Sequence, residues 1–239
     1  MRVVSLVPSA TETLLALGVA PVACTRFCEQ PGIPTVGGTK NPDLEAIVGL
    51  APDLVVVNDE ENRREDADAL VAAGLELHSM SPRSFADVGP AVSALAAAVG
   101  VAVPLPAVEP AAPLAPGDVE PVVRRRCVVF VWRRPWMTLG TDTYAASLLS
   151  RLGYDQVALG VDGDRYPEVE LGAVAATAPE LILLPDEPYA FTEPHRAEVG
   201  AAVPGADVSL VDGRDLFWWG VRSPVALERL RVALGGTQA

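Results

Sequence analysis

Short runs of β-branched residues alternate with stretches of helical periodicity along most of the chain. That alternation restricts the fold to α/β layering around parallel strands. Residues 3–7 predict a first strand. Ser9 and Glu12 stand at capping-box spacing before the apolar Leu14, Leu15 and Leu17, and Gly18 ends that helix. Further strands are expected at 21–25, 54–57 and 75–78. One short helix is opened by Asn41-Pro42-Asp43 and runs through Leu50. Another is opened by Asn58 and Glu61, again at capping-box spacing, and runs to about Ala73. Across 84–99, Phe85, Val88, Val92, Leu95 and Val99 recur at steps of three and four and give one apolar stripe on a helix.

The pattern breaks at 101–121, where six of the chain's 22 prolines fall. Such a stretch makes an extended, semi-rigid connector and cannot hold a long helix. The alternation then restarts. Strands are expected at 127–131, 155–159, 181–184 and 208–211, with helices at 142–152, 171–176, 193–199 and 223–234. The reading is an N-terminal α/β lobe over 1–83, a linking helix and Pro-rich connector over 84–121, and a C-terminal α/β lobe over 122–239. Each lobe is a small doubly wound unit.

Composition narrows the function. With 18 basic against 31 acidic residues, the formal net charge is −13. That excludes a general nucleic-acid binder, which needs a basic face to release counterions, and opposes docking on anionic lipid. No apolar run reaches the roughly 18 residues of a membrane span, and no signal peptide is read at the start. The expected location is therefore cytoplasmic, or extracellular or membrane-associated if the start codon is misplaced. Cys24, Cys28 and Cys127 give no disulfide framework. No leftover apolar stripe calls for a partner copy, so a monomer is expected.

Open α/β sheets bind ligands beyond the C-terminal ends of their strands, so the residues after each strand are the site candidates. In the first half these are Ser9, then Arg26, Phe27 and Cys28, then Asn58, Glu60 and Asn62. In the second half they are Trp132, Arg133, Arg134 and Trp136, then Tyr189, then Phe217, Trp218, Trp219 and Arg222. The first 129 residues hold two aromatics, Phe27 and Phe85; the rest hold eleven, and all four tryptophans sit in two strand-end loops. That placement suits a large flat or apolar ligand better than a core role. Catalytic signatures are missing: there is no Gly-x-Ser-x-Gly, no P-loop and no Gly-x-Gly-x-x-Gly. His78 and His195 read as structural, and Cys24-x-x-x-Cys28 lacks the second pair of a zinc site. No catalytic or metal-ligating residue is assigned. Acids in the stretch 59–61 complement a helix dipole, while Glu60 and Asn62 stay open as ligand contacts.

The ordered loops resemble the helical backbone metal receptors, the class III periplasmic-binding-protein-like family of cobalamin- and iron-chelate-binding proteins, and within it a leaderless branch. The matching stretches are 4–12, 27–28, 36–42, 58–66, 132–138, 165–168, 186–191 and 217–222. The resemblance implies two Rossmann-like lobes joined by a single helix, with a ligand clamped between them. It also implies largely aromatic contacts, which map here onto Phe27, Trp132, Trp136, Phe217, Trp218 and Trp219. Two departures are visible: the Pro-rich stretch stands where the linking helix is normally longer, and no leader or lipoprotein cysteine is read.

The expected function is non-catalytic binding of a metal chelate, most directly cobalamin or another corrinoid. The protein would be the substrate-binding component of an ABC-type uptake system, with its permease as a partner, or a cytoplasmic relative of one. No prosthetic cofactor is expected; the corrinoid or iron chelate is the ligand. Arg133, Arg134 and Arg222, with Arg26, would receive its anionic groups. The alternatives are an iron-siderophore or haem as ligand, and an intracellular enzyme or chaperone working through Cys28 with Glu60 or Asp59. In a third reading, Glu60 and Glu187 would meet arginines on a membrane partner.

Overall fold

The computed structural model describes residues 1–102, 124–161 and 163–235. The described chain forms two compact units. The first takes in Met1–Pro82, residues 86–102 and Trp219–Arg222; the second takes in Arg83–Phe85, 124–218 and 223–235. Both are α/β, as the alternation predicts. The segment Trp219–Arg222 belongs with the first unit although the sequence reading kept 122–239 together. The Pro-rich connector lies outside the described residues beyond 102.

The first unit runs β1 (Val3–Ser5), α1 (Pro8–Ala16), β2 (Ala23–Cys24), a 3-10 turn at Arg26–Cys28, α2 (Leu44–Gly49), β3 (Leu54–Val57), α3 (Arg64–Ala72) and β4 (Leu77–Ser79). Then comes α4 (Phe85–Ala98), most of which belongs here. Its four strands are all parallel, in the order β2-β1-β3-β4. Ser5 stands opposite both Cys24 and Val56. Every residue of β1 and β3 is buried. This explains their unbroken β-branched runs, since a parallel sheet covered on both faces has no polar side to alternate with. Val4, Leu6, Ile47, Val55 and Leu70 form its core.

The second unit contains β5 (Arg125–Trp132), β6 (Met137–Thr138), α5 (Tyr144–Arg151), β7 (Tyr154–Gln156), α6 (Leu171–Ala176) and β8 (Leu181–Pro185). It continues with α7 (Glu193–Ala202), β9 (Asp207–Val211), α8 (Gly213–Phe217) and α9 (Ser223–Gly235). The strand order is β6-β5-β8-β9, with β7 also on β5. Strands β5, β7, β8 and β9 are parallel, and the short β6 is antiparallel. Val128, Phe130, Ile182, Leu184 and Val199 centre its core.

Two helix starts differ from the sequence reading. The N-cap of α1 is Val7, with no side-chain cap, and Ser9 is inside the helix. Pro8 displaces the start by two residues, because its fixed φ and missing N–H suit the first helical position. Helix α3 starts at Arg64, not at Asn58. The Asn58 side chain folds a tight turn instead: its Oδ1 accepts from the Glu60 and Glu61 amides at 2.7 and 3.1 Å. Both β6 and α8 escape the sequence reading. A two-residue strand and a five-residue helix are too short for periodicity to register. Asp212 caps α8 by accepting from Arg214 and Asp215.

Candidate functional site

Each unit presents the loops at the C-terminal ends of its parallel strands, and the sequence-predicted residues divide there into two kinds. Several are part of the scaffold. Asn58 and Asn62 are buried. Asn58 Nδ2 donates to the Met80 carbonyl at 2.7 Å, and Asn62 Oδ1 accepts from the Asn58 amide at 2.8 Å. Asn62 Nδ2 donates to the carbonyls of Leu6 and Thr39 at 3.3 and 3.0 Å. With their polar atoms bonded to backbone, these two asparagines tie the turns after β1, β3 and β4 together. They are structural, not ligand contacts.

Cys28 is also interior. Its Sγ lies 3.2 Å from the Thr11 hydroxyl and 3.3 Å from that of Thr25. A thiol that is 2% exposed has no face for a chelate, which removes the chemistry expected of it. Cys24 and Cys127 are buried too, and burial pushes each thiol up to about 12. For Cys24 the neighbouring Cys28 adds to that rise.

Two of the four arginines expected to meet anions are held by carboxylates. Arg222 grips Glu12 with two hydrogen bonds, at 2.8 and 3.0 Å. Arg133 grips Glu198 the same way, at 3.1 and 3.0 Å, and its guanidinium lies 5.4 Å from the Trp136 ring. These bidentate pairs fix their loops. Arg26 and Arg134 differ. Both are exposed, and neither enters an ion pair among the described residues. The Arg26 guanidinium stacks over Phe27 at 4.7 Å, and Phe27 is 49% exposed. Glu60 is half-buried, and its carbonyl accepts from Lys40 Nζ at 2.5 Å.

The aromatics also divide. Trp219 is buried. Trp136 packs edge-on to Phe130 at 5.0 Å and parallel to Phe191 at 6.2 Å, so most of it belongs to the core of the second unit. Trp132, the last residue of β5, is 43% exposed and meets Tyr189 edge-on at 5.5 Å. Tyr189 in turn touches Phe191 and His195, and its hydroxyl lies 3.4 Å from His195 Nε2. His195 closes the Thr192 capping box of α7 through Nδ1. Trp132 and Tyr189 thus form a continuous aromatic edge on a rigid base. Phe217 and Trp218, at the end of α8, are half-buried, with the Arg214 guanidinium 5.1 Å from the Trp218 ring. Glu187 lies beside them: burial raises its carboxyl above the usual range, while a hydrogen bond from Trp218 and the charge of Arg214 act the other way.

Beside the aromatic edge an open cavity of about 400 Å³ is lined by Arg133, Arg134, Trp136, Glu168, Glu170 and Glu198 among others. Glu198 and Glu12, the partners of the two held arginines, are site residues that sequence reasoning missed. They stand 65 and 210 positions from the arginines they bind, and no local pattern reports such pairs. Among the described residues no group of three or more His, Cys, Asp or Glu side chains is placed to hold a metal ion.

Comparison with known proteins adds three findings. Residues 3–102 match the family model described as periplasmic binding protein. The vitamin B12-binding protein of Salmonella choleraesuis (strain SC-B67) is 29% identical over 100 residues, which is 40% of this chain and 38% of that protein. Its Salmonella paratyphi A (strain ATCC 9150 / SARB42) counterpart is 30% identical over 99 residues, covering 40% and 37%. The matched stretch therefore spans under two fifths of these relatives. Among solved structures, the periplasmic vitamin B12 binding protein of Vibrio cholerae superposes with a TM-score of 0.72 at 17% identity, covering 99% of this chain and 98% of that one. A periplasmic heme binding protein from Pseudomonas aeruginosa gives 0.75 at 18%, covering 99% and 93%.

Proposed function

We propose that this chain is a member of the class III periplasmic-binding-protein-like family, on the match of residues 3–102 and the likeness of its fold, and that it binds a metal chelate without transforming it, as the substrate-binding component of an uptake system. A corrinoid, cobalamin above all, is the leading ligand. The observation that carries this reading is the exposed aromatic edge of Trp132 and Tyr189, held stiffly at the end of β5. A flat, partly apolar ligand gains stacking area there at little cost in side-chain freedom, since both rings are already packed. Arg134, beside that edge and outside any ion pair among the described residues, can receive an anionic substituent. An ABC permease is the proposed partner.

A second reading is haem or an iron chelate, favoured by the Tyr189 hydroxyl, whose oxygen could meet iron and which lies 3.4 Å from His195 Nε2. Titration of the purified chain with cyanocobalamin, dicyanocobinamide and hemin, followed by tryptophan quenching, separates the two. The expected result is saturable quenching by the corrinoids, weakened about tenfold or more in Trp132→Ala. Saturation by hemin alone selects the second reading, and unchanged affinity in Trp132→Ala removes the stacking surface from it.

A further inference from the structure

The stretch from Pro167 to Glu170 bears two carboxylates that the fold does not use. Its backbone runs beside the turn from β5 into β6. The Thr138 amide donates to the Pro167 carbonyl at 3.0 Å, the Val169 amide donates to the Trp136 carbonyl at 2.9 Å, and Glu168 stands opposite Met137. Successive side chains of an extended segment point to opposite sides. Val169 packs against the core of the second unit, so Glu168 and Glu170 share the other side. Both are exposed, and both line the open cavity of about 400 Å³ beside the aromatic edge. Neither carboxylate has a hydrogen bond or an ion pair among the described residues. Helix α6 does not account for Glu170 either. Glu170 is its N-cap but makes no side-chain capping bond, and glutamate is not among the residue types that cap well.

The rest of the cavity wall sets the local charge. Glu198 holds Arg133 with two hydrogen bonds and neutralises it. That leaves the Arg134 guanidinium against the carboxylates of Glu168 and Glu170. A group that meets the guanidinium must accept, and a group that meets either glutamate must donate. A carboxamide does both: its oxygen accepts from Arg134 and its NH2 donates to a glutamate. A ligand carboxylate brings no donor and meets like charge. We propose that Glu168 and Glu170 are specificity-determining residues, which admit a macrocycle whose rim carries carboxamides at this point and turn away one that carries carboxylates there. This names the ligand class of the site proposed above and rests on that reading. One anionic substituent is still matched by Arg134, and the two glutamates act on what lies beside it. A corrinoid rimmed by amides passes, and hemin, with its propionates, is opposed. Part of the selectivity is thus repulsion built against the wrong ligand.

The test uses the full chain at low ionic strength, titrated with cyanocobalamin and with its monocarboxylic acids, in each of which one peripheral amide is hydrolysed. At least one of the acids is expected to bind the wild type about threefold or more weakly than cyanocobalamin does, the size that exposed charges allow. In Glu168→Gln/Glu170→Gln that gap should close. Both side chains are exposed and unpartnered among the described residues, so the variant folds, and glutamine keeps an oxygen to accept from an amide. A gap that survives in the variant, or that is absent from the wild type, overturns the assignment. A second arm needs no ligand. Trp136 lines the cavity and Trp132 stands beside it, so quenching of tryptophan emission by iodide, an anion, is compared with quenching by neutral acrylamide. The variant should be quenched more strongly than the wild type by iodide and equally by acrylamide. Equal quenching by iodide overturns the proposal. If no corrinoid binds, the reading proposed above falls and takes the ligand class with it, while the iodide arm still decides whether the two glutamates repel anions.

Discussion

Glu12 and Arg222 make a bidentate pair whose side chains are only 32% and 17% exposed. Removing one partner leaves the other charge half out of water, a change that typically costs about 1–3 kcal/mol. Glu12→Ala should therefore lower the melting temperature by several degrees, whereas the double variant Glu12→Ala/Arg222→Ala should recover part of the loss, as a double-mutant cycle would show. Glu187 behaves oppositely. Burial raises its carboxyl above 4.5 in the folded chain, so the fold binds its proton more tightly than the unfolded chain does. Its contribution is then fully present below pH 4.5 and is lost as pH rises through the folded value. Glu187→Gln, which keeps an oxygen for Trp218, should raise stability near neutral pH and flatten the pH dependence; equal melting curves at pH 7 would contradict this. His78 has the other sign again. Burial lowers its pKa from 6.5 and its Nε2 has no partner among the described residues, so its contribution is present above pH 6.5 and falls away below. In His78→Gln the loss of stability on acidification from neutral pH should be smaller than in the wild type.

At the scale of elements, Gly220 fixes how the chain passes over α1. Its φ is +117°, and a Cβ there would run into the Thr13 hydroxyl. Neither the backbone nor the neighbour can yield cheaply, because Thr13 is buried and its hydroxyl donates to the Ser9 carbonyl. Gly220→Ala should cost at least about 2 kcal/mol, readable as a lowered urea midpoint. The elements themselves were largely legible in sequence. Leu54–Val57 and Leu171–Ala176 appear with the bounds that the sequence predicts, because their apolar runs are bounded by clear breaks. Ser9 and Asn58 were misread as helix caps. Capping-box spacing reports a pair of residues and not the backbone between them; Pro8 in one case and an Asx turn in the other took the chain elsewhere. The aromatic loops were legible as loops, but their exposure was not. Trp132 and Trp219 look alike in sequence, yet one is 43% exposed and the other 5%. That difference is decided by tertiary packing, which no local pattern reports.

For the molecule as a whole, the two-lobe α/β class could be read from sequence because the pattern is sustained on both sides of the Pro-rich stretch. The net charge of −13 acts at this scale too. Like charges repel in the compact state and salt screens them. The melting temperature should therefore rise when sodium chloride is increased from a few millimolar to physiological strength. A fall would mean that individual ion pairs such as Arg133–Glu198 outweigh the overall repulsion.

The placement of Trp219–Arg222 in the first unit has a consequence for how the protein is made. A ribosome delivers the chain from its N-terminus, and domains usually fold as they emerge. Here the first unit cannot reach its final form at that stage. Until the segment arrives, Glu12 waits for its guanidinium and the Thr13 hydroxyl for the Val221 amide. Residues around Glu12 are thus completed by residues made 210 positions later, and a nascent chain stalled short of Trp219 would hold an unfinished first unit.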